Sequence, residues 1–335
     1  MNLIRHTHHR SKHVAIVLCA AILALSAVAL HSGHARAQVT MDQLPDDKTY
    51  NDFVVGPGKI EIELAPGQSQ VVDMTVADRL GSDKTFTVAE EDFQGTDDPN
   101  RPVELLGNDR GPYSLKDYIN IASTSLLIRQ GYKAHIPVTI SIPADAQPGG
   151  LYGSVVVGTV SAPGGVGTQG ATPSVPIITR IGTLFFVRVS GPVTESGHLQ
   201  QFSLSGGQSV LLDSPSIVFD LTYKNDGDVY LDPSGKVTIT NLLGSNVGSI
   251  DVDPWFAMPQ SLRFREVAWN PPFLFGRYVA HAAIKRGYGS TTDEMDVTFW
   301  VIPWKIILAV FIGLLLLIII IRWLVSHISF IKKKE

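Results

Sequence analysis

From Lys59 onward the chain alternates apolar and polar residues instead of repeating every three or four positions. Lys59 to Leu64 (KIEIEL) sets Ile60, Ile62 and Leu64 on one side and Glu61 and Glu63 on the other, the two-residue period of a half-buried strand. The turn APGQ follows, and Val72, Met74 and Val76 then alternate with Asp73 and Thr75 before Lys84 to Val88 builds another strand around Phe86 and Val88. Ile136, Val138, Ile140 and Ile142 repeat the pattern. Leu151 to Val160 and Ile177 to Val189 are longer and more continuously apolar, which predicts strands near the centre of a sheet. Ser114-Leu115-Lys116-Asp117 predicts one short helix, with Ser114 as its cap and an acid three residues on.

The stretch IPADAQPGGLYGSVVV (Ile142 to Val157) has the glycines of a phosphate cradle, but a cradle needs a helix after them and a β-branched run follows. Pro148-Gly149-Gly150 is therefore a turn between strands. PGGVGTQGATP (Pro163 to Pro173) is a low-complexity hairpin loop inside the first domain, because the strand pattern resumes beyond it. A second alternating unit follows. Ile217, Phe219, Leu221 and Tyr223 lead to an Asn225-Asp226-Gly227 turn; Val237 and Ile239, then Ala280, Ala282 and Ile284, precede a last strand with Met295, Val297, Phe299 and Val301. The fold class expected is all-β: two tandem immunoglobulin-like β-sandwiches, each of roughly 100 residues or slightly more, followed by one transmembrane helix.

Two apolar segments break the alternation. A basic head (Arg5, Arg10, Lys12), the apolar stretch Val14 to Leu30 and Ala35-Arg36-Ala37 make a secretory signal over residues 1–37, with Gln38 as the first mature residue. Ile306 to Ile321 carries no charge, and with its flanks reaches the roughly 20 residues that cross a bilayer. Trp304, Lys305, Arg322 and Trp323 are the expected interface anchors. Lys332, Lys333 and Lys334 put the tail in the cytoplasm and the sandwiches outside the membrane. The divisions are thus 1–37 signal, 38–55 N-terminal extension, 56–192 first sandwich, 193–302 second sandwich, 303–325 transmembrane helix and 326–335 cytoplasmic tail.

The single cysteine, Cys19, lies in the signal, preceded by Leu18 where a lipidated cysteine needs a small residue. The mature chain then has no thiol for disulfides, thiolate catalysis or metal binding. A net charge of -4 gives no nucleic-acid signature.

IEIELAPGQS (Ile60 to Ser69), EEDFQG (Glu90 to Gly95), GPYSLKDYI (Gly111 to Ile119), IPADAQPGGLYGSVVV and RIGTLFFVRV (Arg180 to Val189) resemble the bacterial exported proteins of the WxL-interacting protein family, especially their peptidoglycan-binding module. The resemblance covers about half of the chain well; YKNDGDVYLDPSGKVTITN (Tyr223 to Asn241) resembles the family's partner-binding module less closely. It implies a non-catalytic, membrane-anchored role at the bacterial cell envelope, with peptidoglycan, another surface glycan or a surface protein as partner.

Candidate chemistry is sparse. Of the ten histidines only His135, His198 and His281 lie in the exported part, and no two share a metal-binding or catalytic spacing. Glu90, Glu91, Asp92, Asp97 and Asp98 form the densest acidic cluster. It reads as a solvated strand end, or as a weak calcium site centred on Asp97 and Asp98; an envelope carbohydrate-active enzyme would need two of its carboxyls to face each other across a cleft. Trp255, Phe256 and Trp269, near prolines, are the candidate ligand-binding rings, with core packing, where an immunoglobulin-like sandwich commonly buries large aromatics, the favoured role for each. No cofactor is expected. A spacer without a specific ligand is the remaining alternative.

Overall fold

The computed structural model describes residues 38–45, 48–98, 100–160, 178–212 and 216–331. The expected signal, the expected loop at 163–173 and the lysines at 332–334 lie outside them. Eleven strands form the first sandwich: Thr40–Gln43 (β1), Asp52–Gly56 (β2), Lys59–Leu64 (β3), Ser69–Arg79 (β4), Lys84–Gly95 (β5), Val103–Leu105 (β6), Ile119–Ile121 (β7), Ser125–Ile128 (β8), Tyr132–Ser141 (β9), Gly149–Val160 (β10) and Ile178–Val189 (β11). One sheet runs β1-β9-β4-β2, with β7 also on β9; the other runs β3-β11-β10-β5-β6, with β8 also on β5. Met74, Val76, Ile136 and Val138 face Phe86, Val155, Val157 and Phe185 across the core, all essentially buried. The alternation of the sequence is this inward row, taken in turn from each strand.

Residues 38–55 are not an extension. β1 pairs with β9 (Met41 opposite Ala134) and β2 with β4 (Val54 opposite Ala77). β1 reads TMDQ and is exposed throughout; it joins the sheet by backbone pairing and by Asp42, which lies 3.2 Å from His135 Nε2, and leaves no apolar rhythm to read.

Eight strands form the second sandwich: Gly197–Leu204 (β12), Val210–Leu212 (β13), Ile217–Asn225 (β14), Ser234–Asn241 (β15), Asn246–Val252 (β16), Ser261–Trp269 (β17), Gly276–Lys285 (β18) and Thr292–Ile302 (β19). Its sheets run β12-β14-β17 and β13-β19-β18-β15-β16. Both modules open the same way. Their leading strand is split between the two sheets, as β2 and β3 or as β12 and β13, and the second half pairs parallel with the module's last strand. In the second module the crossing passes through Gly206 and Gly207, at φ 77° and 68°, a left-handed backbone that glycine adopts without a Cβ clash.

The expected helix is a single 3-10 turn at Lys116–Tyr118, and Ser114 does not cap it. Asp92 does. Its Oδ1 accepts hydrogen bonds from the backbone N–H of Leu115 (3.1 Å) and Lys116 (2.9 Å), and its Oδ2 from that of Gly111 (3.1 Å). The carboxylate is fully buried, so the inward strand position that puts it there also supplies its partners.

One α-helix, Trp304–Ile331 (α1), follows β19 after the single residue Pro303. Within its first 21 residues, Trp304–Leu324, an 18-residue window reaches a mean hydropathy of 3.0, and none of it is buried against the protein. At about 1.5 Å per residue they are long enough to cross a bilayer.

Asp92→Ala leaves three backbone N–H groups without their charged acceptor. The first sandwich should lose about 3 kcal/mol, read by urea denaturation of the detergent-solubilised chain, while Ser114→Ala costs much less.

Candidate functional site

The two sandwiches meet on an aromatic seam. β5, β10 and β11 turn Phe93, Tyr152 and Phe186 away from their own core, and the second module seats Met258, with Tyr230 and Phe256, against them. Phe186 lies 5.0 Å from Tyr230 and 5.3 Å from Phe256 between ring centroids, both edge to face. The Tyr152 hydroxyl accepts the backbone N–H of Tyr230 at 2.7 Å.

Lys59, at the start of β3, closes the seam. Its ammonium stands 4.7, 5.3 and 5.2 Å from the ring centroids of Phe186, Tyr230 and Phe256. It also pairs with Glu61 and, at 3.7 Å, with Asp232 of the second module. Burial pushes the Tyr152 and Tyr230 hydroxyls up from the usual tyrosine range, so both stay neutral. Burial likewise raises the Asp232 carboxyl, against the pull of Lys59. Arg188 and Glu195 pair at 2.8 Å across the connector between modules. At Gly95 the modules approach so closely that a Cβ would stand 2.5 Å from the Cβ of Met258. This constellation fixes an angle between modules and holds no activated nucleophile or base.

The expected ligand residues are mostly spent on packing. Trp255 is 3% exposed, inside the second core and edge-on to Tyr223. Phe256, its neighbour, points the other way into the seam. Trp269 is half-buried and lies over Gly248, where a Cβ would come within 2.5 Å of its Nε1. Trp255 has no free ring face, and Phe256 and Trp269 are each partly covered, because flanking prolines mark where the chain turns and not where a ring points.

The acidic cluster is pulled apart in the same way. Asp97 Oδ1 accepts the backbone N–H of Leu262 (2.9 Å), another tie between modules, and Asp98 Oδ1 accepts that of Asn100 (2.9 Å). Glu91 pairs with Arg180 on the strand face opposite Asp92, which is occupied by the turn it caps. No two of these carboxyls face each other across a cleft as glycoside hydrolysis requires. Among the described residues no three of His, Cys, Asp and Glu are grouped to hold a metal ion. His135 lies beside Asp73, His198 beside Asp226 and His281 beside Asp296, in three separate places.

Sequence reasoning missed the feature that is open. β11 pairs with β10 along its whole length, from Ile178 to Val189, but with β3 only from Leu184 onward. Leu184 donates its N–H to Gly58 O on the β3 side (3.0 Å), so by the two-residue period Arg180 and Gly182 turn their backbone N–H and C=O to that side as well. Among the described residues no strand pairs with them there. The stretch has no proline or bulge, and Ile178 is well exposed. Such an edge is a template for another strand. The signal in the sequence is the mismatch of lengths: a strand of 12 residues beside a parallel neighbour of 6.

No protein-family model matches the chain, and no curated protein sequence matches it. Among solved structures, the class 5 fimbriae chaperone CfaA aligns at 11% identity over 75% of this chain and 100% of its own, with a TM-score of 0.35. A chaperone–tip adhesin complex of CFA/I fimbriae biogenesis aligns at 10% identity over 75% and 99%, with a TM-score of 0.36. The CsuC–CsuE complex from archaic chaperone-usher Csu pili of Acinetobacter baumannii gives 10%, 75%, 99% and 0.35 in the same order. Likeness at this level carries no argument about function. The sandwich assignment stands on the strand pairing itself.

Two variants separate the seam from the cores. Tyr152→Phe leaves the Tyr230 N–H without its acceptor, a loss of about 1–3 kcal/mol, and Gly95→Val drives a side chain into Met258. Both should speed cleavage after Glu195 by a glutamate-specific protease, with Gly95→Val the stronger; unchanged cleavage in both would mean that the seam does not hold the modules together.

Proposed function

We propose that the protein is a non-catalytic, membrane-anchored binder of the bacterial envelope that takes up an extended segment of an exported protein as an added strand on β11. The observation that carries this reading is the side of β11 at Arg180 and Gly182 that no strand pairs among the described residues, next to the exposed Ile178. Main-chain hydrogen bonds along such an edge supply affinity, and alternate side chains supply selectivity. The anchor is α1, and the signal-like head with the basic tail supports sandwiches outside the membrane and a cytoplasmic C-terminus. The resemblance to the WxL-interacting protein family favours a surface-protein partner. A wall glycan has less support, since Trp255 is buried and Phe256 and Trp269 are partly covered by packing.

Proline at 180 removes an N–H on the open side and keeps every bond to β10. A photo-crosslinker at Ile178 in native membranes should trap one exported protein, and its yield should fall about tenfold or more in Arg180→Pro, a loss of one or two hydrogen bonds with added obstruction. Arg180→Ala, which loses only the pair with Glu91, should retain capture. Equal loss in both variants moves the contact to the side chain, and no trapped protein leaves the chain as a spacer.

A further inference from the structure

The end of the second sandwich from which α1 departs is apolar on its outside. Along β19 the outward row runs Glu294, Asp296, Thr298, Trp300, so acids give way to an exposed tryptophan as the strand nears the helix. Strand register brings other exposed apolar residues to the same end. Leu212 lies opposite Ile302, and Gly276 opposite Val301. The loop before Gly276 carries Phe273 and Phe275, both about three-fifths exposed. Tyr278 lies opposite Asn241, which puts the turn holding Leu242 and Leu243 there too, with Leu243 at 87% exposure. Leu242, Leu243, Phe275 and Trp300 line one shallow concavity with Arg277. In the sheet that carries β19, Asp251 beside Lys236 and Asp293 beside Ile284 lie toward the opposite end; in the other sheet Asp220 and Glu266 face each other three residues back from Ile217 and Trp269.

Large apolar patches on a soluble surface signal a partner, and the chain restricts which one is in reach. Pro303 alone separates β19 from α1, and its carbonyl accepts the N–H of Ile306 (3.0 Å) and Ile307 (3.1 Å), so strand passes into helix without a slack linker. One residue spans about 3.5 Å at most. Wherever α1 enters hydrocarbon, this end of the sandwich is already at the headgroups.

We propose that this end is a second membrane contact: a lipid-facing collar with Leu243, Phe273 and Phe275 at the acyl boundary, Trp300 at the interface and Arg277 among the phosphates. The arrangement follows the interfacial habit of aromatic and basic side chains. It fixes the tilt of the exported part on the bilayer, which a single helix does not do. The proposal rests on α1 being a membrane anchor, and the test separates the two.

In a Cys19→Ser background, nitroxide labels at Leu243→Cys, Phe273→Cys, Glu294→Cys and Leu315→Cys are compared in the full chain, one copy per nanodisc of phosphatidylethanolamine and phosphatidylglycerol. Collisions with oxygen and with an aqueous nickel complex read depth. Labels at 243 and 273 should lose nickel access and gain oxygen access as the label at 315 does, while the label at 294 stays in water. If 243 and 273 behave like 294 while 315 lies in lipid, the collar is overturned and the anchor stands. If 315 is in water, the anchor reading fails and the collar with it. If 243 and 273 are shielded only when two copies share a disc, the surface joins copies of the chain and the lipid contact is wrong.

Discussion

The ammonium of Lys59 sits where the two modules become one body. It stands within about 5 Å of three ring faces, of which Tyr230 and Phe256 belong to the second sandwich. A partly exposed cation over aromatic rings contributes about 0.5–2 kcal/mol, and here Glu61 and Asp232 also pair with it. Polar groups in such a place have to be satisfied all at once. The Tyr230 N–H reaches the Tyr152 hydroxyl, the Leu262 N–H reaches Asp97, and Arg188 reaches Glu195. Sliding one module over the other would strand each of these partners in a half-dry seam, where an unmade hydrogen bond costs more than a made one contributes. The relative orientation is therefore specified by polar pairing, while the apolar rings supply most of the area removed from water.

What the sequence disclosed and what it hid divide along a physical line. Inward rows such as Met74, Val76 and Phe86 repeat with the strand period, so the sandwiches and their long central strands were legible. An edge strand such as β1 buries nothing, so Thr40–Gln43 carried no signal of belonging to the first module. Asp92 looked like one acid among several, and only the pairing of β5 with β10 shows that it points inward beneath a turn 23 residues further on. Trp255 and Phe256 are adjacent and still serve two different cores, since an extended backbone sends neighbours to opposite sides. The seam itself was illegible because outward apolar residues on one module are explained only by the other. Net strand count and period do not encode that meeting.

β11 then acquires a double assignment that no single residue in it announces. Its second half is locked: Leu184 to Val189 pair with β3, Phe186 is the centre of the ring cluster, and Arg188 ties down the connector to the second module. Its first half lies before the start of β3, and among the described residues no strand pairs with it on that side. An edge strand is useful as a template only if its own conformation is already fixed, because ordering a loose segment costs about 1–2 kcal/mol per residue. Pairing with β10 along the whole length meets that requirement, and the locked half keeps the open half in register with it. The same residues that hold the modules together thus hold the exposed edge straight, so loosening the seam should weaken the proposed strand addition at Arg180 without any change at the edge itself.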